Sequence, residues 1–413
     1  MADTGAADRI RIPVGQLALG MYVCELDRPW QETPFLFQGF RIRHAQEIVL
    51  LAEVCQFVWV DAKRSVGLQQ QVSENLLAVA AEQPQPLIAK IDFAEEMQAA
   101  EPAFHAAREH SLRLLEAVRL GHELDVKQVK VVVKECVESM LRNPGAMLWL
   151  ARIKNSDEYT AEHCLRVAIF SIALGRELGL RQAELEHLGM CGMLHDVGKI
   201  KVPSAILNKP GALTPEELLI MQGHVIEGRK LLMSNQQVTP AAVDVAFSHH
   251  ERLDGRGYPR GLDAARIPFF AKIVAVVDAY DAINSDRPYS KGKSSLEALR
   301  ILFEARGTHF DEDMVKLFVR RVGIYPPGEI VEMSNGEVGI IIGCSPLSKL
   351  KPKLLLVLDE HKQPRAERVI NLQEAVTDAR GRPYRVKEVY PSGAFGIDIE
   401  AYRRKGLVIP DNL

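Results

Sequence analysis

The sequence predicts a mainly α protein: a central helical bundle, a small α/β domain before it and a small β-rich appendage after it. Three observations predict this arrangement. Between Ile91 and about Phe318 apolar residues recur mostly at helical spacing, as in "FHAAREHSLRLLEAVRL", "VKQVKVVVKECVESML" and "CLRVAIFSIALGRELGL". Ahead of that region lie short runs rich in β-branched and aromatic residues, and beyond "GIYPPGEIV" the pattern turns strand-like again. A chain of 413 residues also exceeds what one hydrophobic core usually organises, so several domains are expected.

In chain order, "RIPVGQLALGMYVCELD" alternates apolar and polar residues around glycines, "RHAQEIVLLAEV" has helical spacing, and "FVWVDAKRS" reads as another short strand. Residues 1–75 are therefore expected to form the α/β domain. The proline-bearing "AAEQPQPL" suits a linker, so 76–135 are read as linker and lead-in helices, and the bundle is placed at 136–328. In 329–413 "GEVGIIIG" and "KPKLLLVLD" are strand-like and separated by Gly, Pro and Asn-Gly turns. The apolar faces of the lead-in helices fit either packing within the chain or a homodimer seam.

Composition excludes several function classes. A formal charge of -3 with 25% charged residues leaves no large basic field for nucleic acid. Any anionic ligand must be bound locally. The longest apolar runs fall far short of the ~18 residues of a membrane span, which excludes membrane insertion. No signal peptide opens the chain, and the six cysteines form no CxxC pair or regular framework. Reduced, packed thiols in a cytoplasmic protein are expected.

Seven residues of the helical region are candidate metal ligands: His163, His195, Asp196, His224, His249, His250 and Asp278. One histidine on an amphipathic helix is usually solvated or satisfied in the core, so the set carries the argument. His195 and Asp196 sit in "GMLHDVGKIKVP", where an aspartate beside an apolar helix face is costly to bury unless hydrogen-bonded or coordinated. Reading Gly198 and Lys199 as helix cap and dipole complement explains neither His195 nor Asp196. Asp278 lies in the almost wholly apolar "AKIVAVVDAYDAI", with Asp281 about one helical turn away as a candidate supporting group. His224 is placed on a helix that follows the start signal "LTPEE". His249 and His250 follow the apolar "VDVAF" and face one centre only if the helix ends there, which Asp254, Gly255 and Gly257 favour. Five imidazoles and two carboxylates suit two borderline cations such as iron, manganese or zinc better than an oxygen-only magnesium or calcium cage.

At these residues the chain closely resembles the HD-GYP family, a branch of the HD phosphohydrolase superfamily that hydrolyses the bacterial second messenger cyclic di-GMP. The match runs over roughly residues 150–320 through "YTAEHCLRVA", "LHDVGKIKVP", "ILNKPGALTPEE", "HHERLDGRGYPRGL", "VVDAYDAINSDRPY" and "GTHFD". The N-terminal "GMYVCELDRPWQETPFLFQGFRI" is similar to an uncharacterised domain that often precedes HD-GYP domains. The resemblance implies an HD-type bundle in which the seven candidates hold two metals, Asp196 bridging. Lys199 matches a lysine beside the metals and the scissile phosphate, and Arg287 in "SDRPY" matches a residue that grips phosphate.

Two departures bear on function. Tyr159 stands where some members carry a glutamate for a third metal, and Glu158 is one residue out of register, so a binuclear centre is expected. Ser290, followed by Lys291, replaces a basic residue usual after "RPY", which weakens the expected phosphate grip. The chemistry implied is opening of cyclic di-GMP to linear pGpG, and onward to GMP if hydrolysis continues. Two divalent ions, iron or manganese first and zinc, nickel or cobalt as alternatives, would activate a bridging water for in-line attack. Asp196 and Lys199 are the expected catalytic residues; Lys199, Arg287 and Tyr258 are the expected substrate contacts. The Gly-Tyr-Pro turn either shapes a loop or offers Tyr258, on an exposed turn, to guanine or to a GGDEF-domain partner. The competing readings are a cyclic di-GMP sensor with little turnover and a phosphodiesterase for another cyclic dinucleotide such as cyclic GMP-AMP.

Overall fold

Four short strands, β1 Arg9–Pro13, β2 Tyr22–Leu26, β3 Phe40–Arg41 and β4 Phe57–Asp61, make the first layer, with helix α1 Ala45–Val54 connecting the last two. The computed structural model describes residues 9–28, 39–42, 45–61, 65, 76–79, 90–152, 159–286, 291–344, 350–374, 376–378 and 380–404. The expected linker at 80–87 lies outside them, as do Glu158, Arg287 and Ser290. The strands form an antiparallel sheet in the order β1-β4-β2-β3, with Arg9 opposite Asp61 and Pro13 opposite Phe57. Period-two alternation in β4 turns Val58 and Val60 into the core, while Phe57 and Trp59 remain part-exposed on the other face.

The helical region begins with α2 Phe93–Arg119, α3 Val126–Arg142 and α4 Pro144–Arg152. Asp125 caps α3 by accepting from the Gln128 amide at 3.2 Å, and a stripe of Val126, Val129, Val133, Val137 and Met140 buries its inner face. Next come α5 Tyr159–Glu177, α6 Gln182–Leu194, a 3-10 turn Val197–Lys201, α7 Ser204–Leu207, α8 Pro215–Gln222, α9 His224–Met233 and α10 Pro240–Ser248. The region closes with α11 Phe269–Asn284, α12 Ser295–Glu304 and α13 Glu312–Val322. Residues 161–175 of α5 are buried on every side, because α2, α4, α6, α11 and α13 all pack around it. This is why its sequence, "AEHCLRVAIFSIALG", lacks a polar face. One continuous apolar core joins the N-terminal sheet to these helices.

The "LTPEE" signal opens a helix, but not the one that carries His224. Thr214 caps α8, accepting from the Glu217 amide at 3.3 Å while the Glu217 carboxylate accepts from the Thr214 amide at 2.8 Å. That helix ends at Gly223, and His224 starts α9.

The last layer is an antiparallel five-stranded sheet of β5 Ile330–Met333, β6 Val338–Gly343, β7 Lys353–Leu358, β8 Pro364–Asn371 and β9 Val386–Tyr390, in the order β8-β7-β6-β5-β9. Separate apolar clusters cover its two faces, so β6 is buried throughout. The Asn335-Gly336 turn joins β5 to β6, and the Ser295 amide of α12 donates to Glu329 at 2.6 Å, tying the sheet to the bundle. All six cysteines are free thiols. No helix among the described residues is long and apolar enough to cross a membrane.

Candidate metal centre

All seven candidate ligands converge at the middle of the bundle. His163 lies in the first turns of α5; His195 ends α6 and Asp196 follows it; His224 opens α9; His249 ends α10 with His250 next; Asp278 sits in the buried middle of α11. The termination of α10 is what lets two consecutive imidazoles face one place, with ring centroids 4.1 Å apart.

Four of the rings are fixed by the same device. Nδ1 of His195, His224 and His249 donates to the carbonyls of Gly192, Met221 and Val245 at 2.7, 2.7 and 3.0 Å. His163 donates from Nδ1 to Asp281 Oδ2 at 2.7 Å. A neutral imidazole that spends its only N–H on Nδ1 presents a bare lone pair at Nε2. The Nε2 atoms of His224 and His249 stand 3.5 Å apart, an arrangement of two lone pairs that a cation between them would resolve. His195 Nε2 and Asp196 Oδ1 are buried without a hydrogen-bond partner among the described residues, a costly state for polar atoms.

The donor atoms fall into two groups that share Asp196, each with its atoms within 4.8 Å of one another: His163, His195, Asp196 and Asp278, and Asp196, His224, His249 and His250. Oδ2 of Asp196 faces His163 and His195 Nε2 at 3.5 and 3.3 Å, and Oδ1 faces His224 and His249 Nε2 at 3.3 and 3.6 Å. Asp278 Oδ1 lies 3.1 Å from His163 Nε2. Three imidazoles and a carboxylate on one side, two imidazoles and two carboxylates on the other, fit divalent borderline ions.

Electrostatics follow from burial and crowding. Burial alone would raise the Asp196 carboxyl, but Lys199 and the surrounding imidazoles hold it well below the ordinary range. Asp278 is likewise kept ionised against burial by His163 and His195. Burial works against a charged His195, yet Asp196 and Asp278 push its pKa up to about 9. His250 goes the other way, depressed by burial and by neighbouring His249. Lys199 Nζ donates to Asp196 Oδ2 while its side chain stays partly exposed.

Gly198 is a contact rather than a cap. A Cβ on it would lie 2.0 Å from the His224 carbonyl oxygen and 2.4 Å from the Gly228 amide nitrogen, so the 3-10 turn meets α9 backbone to backbone. Gly257 is equally constrained, since a Cβ there would come within 2.4 Å of the Arg252 nitrogen. The Gly-Tyr-Pro turn folds back onto the centre: Tyr258 is half-buried rather than exposed, its ring stacked on His250 with centroids 4.7 Å apart. Buried Glu251 anchors the turn by accepting from the Arg260 and Leu262 amides at 2.8 and 2.9 Å. Arg256 of the turn lies 5.5 Å from the ring centre of Trp59 in β4, so the turn also meets the N-terminal sheet.

Arg287 and Ser290 fall outside the described residues; Lys291 is exposed and paired with Asp286 at 2.9 Å. The sequence reading missed Glu251, Glu162 and Arg166. Arg166 donates to both Asp281 oxygens at 2.6 and 3.0 Å. A signal was present: an arginine inside the apolar "CLRVAIFSIAL" of a fully buried helix requires a buried acid.

Comparison with known proteins places this geometry. The HD domain family matches residues 151–314, and the family described as "Domain of unknown function (DUF3391)" matches residues 9–129. A cyclic di-GMP phosphodiesterase of Pseudomonas aeruginosa is 37% identical over 370 residues, 88% of this chain and 89% of that protein. A cyclic di-GMP phosphodiesterase of Thermotoga maritima is 39% identical over 165 residues, 40% of this chain and 45% of that protein. A 3'3'-cGAMP-specific phosphodiesterase of Vibrio cholerae is 35% identical over 161 residues, 39% of this chain and 31% of that protein. With the paired histidines, the His-Asp step and the Gly-Tyr-Pro turn gathered at one buried centre, the chain belongs to the HD-GYP family of HD-domain phosphodiesterases.

Proposed function

We propose that the protein is a cyclic di-GMP phosphodiesterase of the bacterial cytoplasm that opens the cyclic dinucleotide to linear pGpG by metal-dependent hydrolysis. The observation that carries this reading is the pair of donor groups sharing Asp196, together with the match to the Pseudomonas aeruginosa cyclic di-GMP phosphodiesterase over most of both chains. Two divalent transition metal ions, iron or manganese by this donor set, would supply Lewis acidity toward the phosphoryl oxygens and lower the pKa of water.

The chain's own residues do the rest. His163, His195 and Asp278 would hold one cation and His224, His249 and His250 the other, with Asp196 contributing to both groups. The carbonyl and carboxylate partners of Nδ1 fix the rings of His163, His195, His224 and His249, and the Tyr258 stack holds His250, so that little reorganisation is needed at the moment of reaction. Lys199, already neutralising Asp196 and partly exposed, offsets charge building on the phosphate, with Arg287 as a second phosphate contact. Tyr258 borders His250 and shapes the base-binding side. The exposed arginines of the turn, Arg256 and Arg260, suit a GGDEF-domain partner; a homodimer is the other assembly consistent with this reading.

The test is purification without oxygen, metal analysis, and chromatography of cyclic di-GMP beside a His195→Ala/Asp196→Ala variant. Two metals per chain, pGpG from the wild type and none from the variant are expected. Bound metal with no product would favour a sensor. Faster turnover of cyclic GMP-AMP would favour the second substrate, which the similarity to the Vibrio cholerae enzyme makes worth including.

A further inference from the structure

We propose that Arg108, on α2, is a positioning residue for the metal centre, and that through it the N-terminal part of the chain sets how tightly the cation beside His163 is held. This rests on the two-cation reading above. The observation is a line of alternating charge running from α2 into the centre. Arg108 Nε donates to Glu162 Oε1 at 2.6 Å; the other Glu162 oxygen accepts from Arg166 at 3.5 Å. Arg166 forks onto both oxygens of Asp281 at 2.6 and 3.0 Å, and Asp281 accepts from His163 Nδ1 at 2.7 Å. Side-chain exposure falls along the line from 26% at Arg108 to 1% at His163.

The position of α2 gives this line its meaning. The helix lies within residues 9–129, the stretch shared with the DUF3391 family, yet it packs on α5 and on the 3-10 turn that follows Asp196. Part of the shared N-terminal stretch therefore supplies a charge to the support of the catalytic bundle. Two acids and two arginines balance in a nearly dry environment, so removing one end redistributes the rest. Without Arg108, the buried Glu162 carboxylate has Arg166 as its cation, and it competes with Asp281 for that guanidinium. Whatever Arg166 yields to Glu162 it withdraws from Asp281, and the Asp281–His163 bond that aims Nε2 loosens. The other donor group is fixed by main-chain carbonyls at His224 and His249, and among the described residues it shows no link of this kind.

A control separates positioning from docking. Ser111, three residues along the same helix, donates to the Ala161 carbonyl at 2.9 Å and holds α2 to α5 without charge. The experiment titrates cobalt(II) into metal-free full-length wild type, Arg108→Gln, Arg108→Lys and Ser111→Ala, following visible absorption, with thermal melting to confirm folding. Two binding steps are expected in wild type. In Arg108→Gln one step weakens by about tenfold or more, as removal of a group supporting a ligand does, and the other stays. Arg108→Lys restores most of it, and Ser111→Ala keeps both steps. With saturating manganese, Arg108→Gln recovers wild-type kcat and KM. Unchanged affinities in Arg108→Gln, or an equal loss in Ser111→Ala, overturn the positioning role alone. Fewer than two binding steps in wild type overturn the two-cation reading itself.

Discussion

The ring of Tyr258 lies over that of His250, centroids 4.7 Å apart and planes within 26°, while the Tyr258 amide donates to the His250 carbonyl at 3.2 Å. The tyrosine of the Gly-Tyr-Pro turn thus holds the only candidate histidine whose Nδ1 shows no hydrogen bond among the described residues. Stacking of this kind is worth ~1 kcal/mol. Tyr258→Phe is expected to bind both metals as wild type does, whereas Tyr258→Ala weakens the cation at His224, His249 and His250 by about fivefold. Metal titration of the two variants measures it.

Asp281 joins the centre to its support, accepting from both His163 and Arg166. Burial would raise its carboxyl, but Arg166 and His163 hold it far below the ordinary range. Asp281→Asn removes the carboxylate that accepts twice from the buried Arg166 guanidinium, with Glu162 at 3.5 Å as the weaker acid beside it, at a cost of about 3 kcal/mol. Urea unfolding of the metal-free variant should show that loss, together with reduced metal content after purification.

Metal loading should release protons. In the metal-free protein His195 has its pKa raised from 6.5 to about 9 by Asp196 and Asp278 against the effect of burial. The protonated ring therefore stabilises the metal-free fold fully below pH 6.5, and that stabilisation fades as pH rises through about 9. A cation needs the neutral ring, so metal affinity rises over the same window. Calorimetry at pH 7.5 in buffers of different ionisation enthalpy should report net proton release; no buffer dependence would contradict it.

Glu251 ties the ends of the turn together with both carboxylate oxygens. Glu251→Ala leaves two amides of the turn without their acceptor and should cost about 1–3 kcal/mol. Limited proteolysis is expected to cut near Arg256 and Arg260 in the variant and to spare the wild type.

Residue chemistry made the donor set legible. A histidine or aspartate inside an apolar helix has few ways to be satisfied, which is why Asp196 and Asp278 were conspicuous in the sequence. The Asn335-Gly336 hairpin was legible for the same local reason. Pairings that cross the fold were not: Arg108 meets Glu162 across 54 positions and Asp281 meets His163 across 118, and no local pattern chooses those partners. Gly198 misled because a glycine after a helix usually closes it, whereas its lack of a side chain here serves an approach between two main chains.

That approach divides the centre into a stiff half and a compliant half. With Gly198 and Gly228 in direct backbone contact, Asp196 and His224 ride on one welded block that side-chain adjustment cannot open. His163 is steered through a relay of side chains instead. A change carried along α2 would act on His163, and the shared aspartate is the fixed point against which that ligand would move.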